Sequence, residues 1–141
     1  MLPEFEGDTR VVHCNKELYD IYIGRPSIWG NPFTHIKDKT TKAQFIVKSR
    51  EEAIQKYREW IVTQPELMQQ IESLRGKVLG CWCKKLPCHG DVLVEILNLQ
   101  AELGYTQIST LIKIYRSKYI DNDTYKRSQD SSSQSSSEIL F

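Results

Sequence analysis

Lys77-Val78-Leu79-Gly80-Cys81-Trp82-Cys83-Lys84-Lys85-Leu86-Pro87-Cys88-His89-Gly90-Asp91-Val92-Leu93 carries the decisive pattern of the chain. Lys77 to Cys83 reads as a buried strand, with Val78, Gly80 and Trp82 on one face and Leu79, Cys81 and Cys83 on the other. Lys84 to Gly90 turns the chain. Asp91 then opens a helix whose apolar stripe runs Val92, Leu93, Ile96, Leu97 and Leu103, with Gly104 to stop it. A strand, a short bend and a helix place any chemistry of the bend at a strand's carboxyl end, where α/β sheets bind ligands.

Working outward, Arg10 to Cys14 and Asp20 to Ile23 are rich in β-branched and aromatic residues and read as two further strands. Ser49 and Glu52 stand at capping-box spacing ahead of Ala53, Ile54, Tyr57, Trp60 and Ile61, which recur on one helical face. Thr63, Pro65 and Glu66 repeat the start signal for a second helix carrying Leu67, Met68, Ile71 and Leu74, which Gly76 ends. Thr106 to Tyr119 favours a last helix. The expected fold is therefore α/β, a small single-domain sheet with flanking helices, spanning residues 1–116. Residues 117–141 read as a disordered tail. Its Ser128–Ser137 stretch of serine, glutamine and aspartate cannot bury enough apolar area to offset ordering entropy.

Composition narrows the function classes. In 141 residues, 40% hydrophobic and 26% charged, there is enough for a core without staples. A net charge of +1 argues against a broad basic surface for nucleic acid but leaves room for a local basic pocket. No stretch nears the roughly 20 apolar residues of a membrane helix, and Met1 to Arg10 does not read as a secretory signal. The expected setting is cytoplasmic, where cysteines stay reduced and serve as ligands, reactive thiols or core fillers.

Within the bend, Cys81, Cys83, Cys88 and His89 gather three thiols and an imidazole. One reading is a zinc site built from Cys81, Cys83 and Cys88, with His13 from the first strand supplying a missing ligand. In that reading adjacent Cys88 and His89 are poorly placed to share one ion. Another reading sets Cys88, His89 and Gly90 at a helix N-terminus, whose amides lower a thiol's pKa and cradle a phosphate. Cys88 or His89 then supplies nucleophilic or acid–base chemistry, and Asp91 orients that group or caps the helix. Against both stands the plain alternative of core cysteines, a capping Asp91 and a turn histidine.

The loop Gly24-Arg25-Pro26-Ser27-Ile28-Trp29-Gly30-Asn31-Pro32-Phe33 is the second candidate. Arg25 suits bidentate reading of an anion, Ser27 and Asn31 offer hydrogen bonds, and Trp29 or Phe33 can stack on a base or fold back into the core. His35, Lys37, Lys39 and Lys42 read as a solvated basic surface. The end Ser137-Glu138-Ile139-Leu140-Phe141 has the form of a tethered apolar tip for a protein partner, or of an ordinary chain end.

Val11-Val12-His13-Cys14, the loop from Gly24 to Phe33, the helix Arg50 to Trp60, and Leu74 through Cys83 to Cys88-His89-Gly90-Asp91 together resemble the family catalogued as domain of unknown function 4326. The resemblance covers residues 9 to 100 and implies that the loop and the cysteine bend belong to one fold. It brings no chemistry of its own. The leading expectation is a small enzyme, a hydrolase or transferase, or a ligand-binding domain for a phosphorylated, nucleotide-like molecule. The alternative is a structural zinc module that contacts a partner or nucleic acid.

Overall fold

The computed structural model describes residues 8–36, 43–83, 86–104 and 106–121. The Ser-rich tail with its Ile139-Leu140-Phe141 end, Lys84, Lys85 and Lys37 to Lys42 lie outside the described residues.

Strand β1 (Arg10–His13), β2 (Ile21–Tyr22) and β5 (Val78–Cys81) form one parallel sheet in the order β1-β5-β2. The two-residue strands β3 (Phe33–Thr34) and β4 (Phe45–Ile46) pair separately, also in parallel. The helices are α1 (Arg50–Ile61), α2 (Pro65–Gln70), α3 (His89–Glu102) and α4 (Ile108–Tyr115). A 3-10 turn, Ile71–Leu74, continues α2, and one π-helical turn, Arg116–Ile120, continues α4 and buries Ile120. The α/β class is as the sequence reads.

The central strand is shorter than Lys77 to Cys83. Its last neighbour bond is Cys14 N–H to the Cys81 carbonyl, at 3.1 Å, and Trp82 turns out to solvent, 59% exposed. Side chains level with one another in a parallel register share a face, so Val11, Leu79 and Ile21 lie together, and α3 packs against β1, where its Gly90 meets Val11. The opposite face at Gly80 is covered by the Tyr19 ring, which leaves no space for a Cβ there. Because all three strands run the same way, His13, Ile23 and Cys81 reach the same edge, and the following loops gather beyond it.

Local signals act largely as the sequence spells them. The Ser49 hydroxyl accepts the Glu52 N–H at 3.0 Å, while the Glu52 carboxylate takes the Lys48 N–H at 3.0 Å. Two starts differ. Thr63 does not cap α2; its hydroxyl donates to the Trp60 carbonyl, because residue 63 still belongs to the turn that closes α1. Helix α3 begins at His89 with Cys88 as its N-cap, and Asp91 is the third helical residue, its carboxylate accepting the Cys88 N–H at 3.0 Å.

The core is a single cluster that joins Ile54, Tyr57 and Ile61 of α1, Met68 of α2, Leu79 of β5, Leu93, Ile96 and Leu97 of α3 and Leu111 and Tyr115 of α4. Glu95 of α3 ties the helices by accepting a two-pronged bond from Arg58 of α1 (2.8 and 3.0 Å) and the Tyr115 hydroxyl of α4 (2.7 Å). Gly76, between the 3-10 turn and β5, has φ of 75° and donates its N–H to Thr9 at 2.8 Å. A side chain is strained in that left-handed conformation, so Gly76→Ala should cost roughly 1–2 kcal/mol. Urea unfolding measures it, and an unchanged midpoint would contradict this account of the turn.

Candidate functional site

Beyond the carboxyl edge of the sheet lies a cavity of about 720 Å³. Its floor is Cys81, Cys83, Cys88 and His89, and its walls include Arg25 and Asn31 from the loop after β2. The two segments singled out in the sequence therefore face one space.

Cys81 is the last residue of β5, and its buried sulphur lies in hydrogen-bond reach of both Cys83 and Cys88. Those contacts, together with burial, push its thiol far up, so Cys81 keeps its proton. Cys83 is drawn down to about 5, first by the Cys81 thiol donating to it and then by the Arg50 guanidinium beside it. Cys88 is also lowered, by the Cys81 thiol and, against burial, by the Gly90 amide. One Cys81 proton serves one neighbour at a time. Cys83, which has a cation as well, is the thiolate these contacts favour.

His89 is 6% exposed, with Nε2 at 2.8 Å from the Ile23 carbonyl oxygen and its ring edge-on to Tyr57 at 5.0 Å. A carbonyl only accepts, so Nε2 holds the proton and Nδ1 carries the lone pair. Cys88 and His89, although adjacent, do converge. Cys88 is extended (φ −148°, ψ 174°) and His89 is the first helical residue, and the bend turns both toward Cys81. One ligand atom from each of Cys81, Cys88 and His89 lies within 4.8 Å of the others. Among the described residues this is the group able to hold a metal ion, and it differs from the expected set. His13 stands apart: its Nδ1 accepts the Asn15 N–H at 3.1 Å and its ring meets the edge of Trp82. Cys83 touches Cys81 without joining the group.

The remaining candidates divide. Arg25 borders the cavity and donates to the Asn31 carbonyl at 2.7 Å, closing its own loop. Asn31 is buried, and its amide is committed to the protein, donating to the Ala53 carbonyl (3.1 Å) and accepting the Phe33 N–H (2.9 Å). Ser27 accepts the Trp29 N–H away from the cavity. Trp29 folds into the core, 4% exposed, where its carbonyl accepts the Tyr57 hydroxyl at 2.8 Å. Gly90 serves helix–sheet packing, for a Cβ there would come within 2.8 Å of Ile23 and 2.9 Å of Val11. Asp91 caps.

Two wall residues escaped the sequence reading. Arg50, the first residue of α1, borders the cavity, reaches the Pro87 carbonyl at 3.4 Å and stands beside Cys83. A cation at a helix N-terminus opposes the helix dipole, and that local conflict was the available signal. His35, read as solvated surface, lines the same wall, its pKa lowered by burial and then by Arg50.

The model of the family Domain of unknown function (DUF4326) matches residues 10–99. The chain belongs to this family. It is 36% identical over 89 residues to an uncharacterised 12.4 kDa protein in the nrdA-td intergenic region of Enterobacteria phage T4, covering 63% of this chain and 77% of that one. It is 33% identical over 91 residues to an uncharacterised protein of Acanthamoeba polyphaga mimivirus, covering 57% of this chain and 68% of that one. No solved structure matches. The family segment begins at β1 and ends within α3, so it contains every residue of the cavity wall. Helix α4 lies beyond it yet supplies Leu111 and Tyr115 to the core.

Burial holds the His89 imidazole neutral, with its pKa lowered to about 4, and the Arg25 charge adds to this while the Ile23 bond opposes it. An unfolded chain takes up that proton near 6.5. Between those values the unfolded state binds one proton more, so stability is fully present above about 6.5 and is lost as pH falls toward about 4. In metal-free protein this amounts to on the order of 3 kcal/mol. An NMR titration of the imidazole checks it: the ring should remain neutral at pH 5, and half-protonation near 6.5 would contradict the assignment.

Proposed function

We propose that the protein is a small intracellular enzyme that binds a phosphorylated, nucleotide-like molecule in this cavity. It acts by hydrolysis or group transfer through the thiols and imidazole at the cavity floor. The observation that carries the reading is the meeting, in one space, of two guanidinium groups, a helix N-terminus and the cysteine–histidine cluster.

Each part has a physical task. Arg25 and Arg50 offer planar, permanently charged donors suited to bidentate phosphate binding. The first turn of α3 borders the same cavity through Cys88 and His89, bringing the positive end of the helix dipole to it. Tyr22, Phe33 and Trp82 border the cavity and give flat surfaces for a base or sugar. A volume of about 720 Å³ suits a nucleotide-sized molecule. A net charge of +1 favours a small anion held locally over a long polyanion held along a basic surface. An intracellular setting fits Cys14, Cys81, Cys83 and Cys88, all unpaired.

A second reading has its own observation, the convergence of Cys81, Cys88 and His89. It makes the domain a structural zinc module that contacts a protein partner or nucleic acid. The open cavity over those residues weighs against it, since structural zinc sites are closed by four protein ligands.

Titration calorimetry with nucleoside 5′-mono-, di- and triphosphates and the parent nucleosides tests the proposal. The phosphorylated compounds should bind and the nucleosides should bind far more weakly. Arg50→Gln should weaken phosphate binding by about 10–100-fold, the worth of one charge-assisted contact. It is the cleaner substitution, because Arg25 also fastens its own loop. Equal affinity for nucleoside and nucleotide, or binding of neither, would refute the reading.

A further inference from the structure

Cys81, Cys88 and His89 come from two elements beside the cavity, the end of the central strand and the start of the longest helix among the described residues. All three are buried, and all three border the cavity. Two thiolate sulphurs, the Cys81 proton being released to solvent as the ion binds, and one imidazole nitrogen make a donor set that zinc accepts in tetrahedral geometry. With zinc–sulphur bonds of about 2.3 Å, neighbouring donors in a tetrahedral site stand roughly 3.5–3.8 Å apart. The Cys81 and Cys88 sulphurs and a ring nitrogen of His89 lie within 4.8 Å of one another, at most about 1 Å beyond that spacing.

The imidazole is also prepared for coordination. Metal-bound histidines characteristically donate their other ring N–H to a carbonyl or carboxylate, which fixes the tautomer and the ring plane. His89 makes such a bond, from Nε2 to the Ile23 carbonyl at 2.8 Å, and it does so from within the sheet edge. Among the described residues no fourth His, Cys, Asp or Glu joins the group. Three protein ligands with an opening beside them are the pattern of zinc sites that work on a substrate, whereas structural sites are filled.

We propose that Cys81, Cys88 and His89 bind one zinc ion whose fourth coordination position opens to the cavity. The site deepens the enzymatic reading above, and it rests on that reading for what the ion would act upon. Zinc bound there would supply Lewis acidity to a water or to a phosphoryl or carbonyl oxygen. The chain's own contribution is to hold the donors, through the β5 end, the α3 cap and the Ile23 carbonyl. Cys83 lies outside the coordination set, beside Arg50, and borders the cavity.

The test uses the full chain, purified without chelator under a non-thiol reductant. Elemental analysis should give one zinc per chain. Replacement by cobalt(II) should give the visible bands of a tetrahedral ion together with sulphur-to-cobalt charge transfer in the near ultraviolet. Cys88→Ser is the informative variant, because serine is among the best N-caps and preserves the start of α3. Its circular dichroism should match the parent, while cobalt affinity should fall by more than about 100-fold, beyond what outer contacts alone cost. Cys83→Ser should leave stoichiometry and spectrum unchanged, and added azide should shift the visible bands by entering the open position. Absence of metal would overturn the proposal, as would a Cys83→Ser loss equal to that of Cys88→Ser, or bands indifferent to azide, both of which describe a closed structural centre. Cobalt binding without nucleotide binding would remove the ligand reading and keep the metal site; nucleotide binding without metal would do the reverse.

Discussion

The first turn of α3 lies so close to the sheet that residue 90 has no room for a side chain, with Ile23 and Val11 both within 3 Å of where a Cβ would be. That approach sets the cavity floor. It brings the Cys88 sulphur to Cys81 at the end of the neighbouring strand, and it lets the His89 ring reach the Ile23 carbonyl. The Asp91 carboxylate then fastens the bend by taking the Cys88 amide. Glycine at this position in a helix costs on the order of 1 kcal/mol relative to alanine. Packing decides the residue here, and the helix's own preference loses.

The opposite wall is held by a different set of bonds with the same logic. Asn31 joins the loop to α1 through the Ala53 carbonyl, Arg25 spans the loop to the Asn31 carbonyl, and Tyr57 reaches from α1 to the Trp29 carbonyl. Tyr57 also meets the His89 ring. One aromatic side chain therefore touches both halves of the site, so the loop and the bend are positioned relative to each other by the core and not by independent chance. A loop with two glycines and two prolines needs such external ties, since it makes few regular backbone bonds of its own.

The elements were legible where a single local rule dominates. Composition and periodicity revealed the three strands of the larger sheet and the helices, though not the two-residue strands β3 and β4. Ser49 and Glu52 marked the start of α1, and Gly76 and Gly104 marked reversals that have positive φ. Reading failed where two rules compete for one residue. Thr63 suits both the end of α1 and the start of α2, and the earlier helix takes its hydroxyl. Asp91 suits an N-cap and the third helical position equally, and the extended Cys88 decides the matter. For the site, the cysteines and His89 announced themselves by their density. Their convergence did not, because whether adjacent residues point together depends on a change of backbone conformation between them. Arg50 stayed hidden among the charges of an amphipathic helix, and Trp29 was ambiguous because stacking on a ligand and packing in a core call for the same side chain.

Several residues at the cavity share one physical trait: they stand where stability alone would not put them. Arg50 places a cation against the positive end of a helix. His89 is an imidazole buried where it must forgo its charge. Three cysteine sulphurs are packed so that two of them, Cys83 and Cys88, compete for the hydrogen bond of the third, Cys81, where aliphatic side chains of like size would fill the space without ionisable atoms. Away from the cavity the same chain obeys the ordinary rules, with an aliphatic core, a paired Arg58–Glu95 contact and buried polar side chains that have partners among the described residues. Local exceptions grouped on one side of an otherwise consistent fold are what set this cavity apart from the rest of the surface as the candidate site.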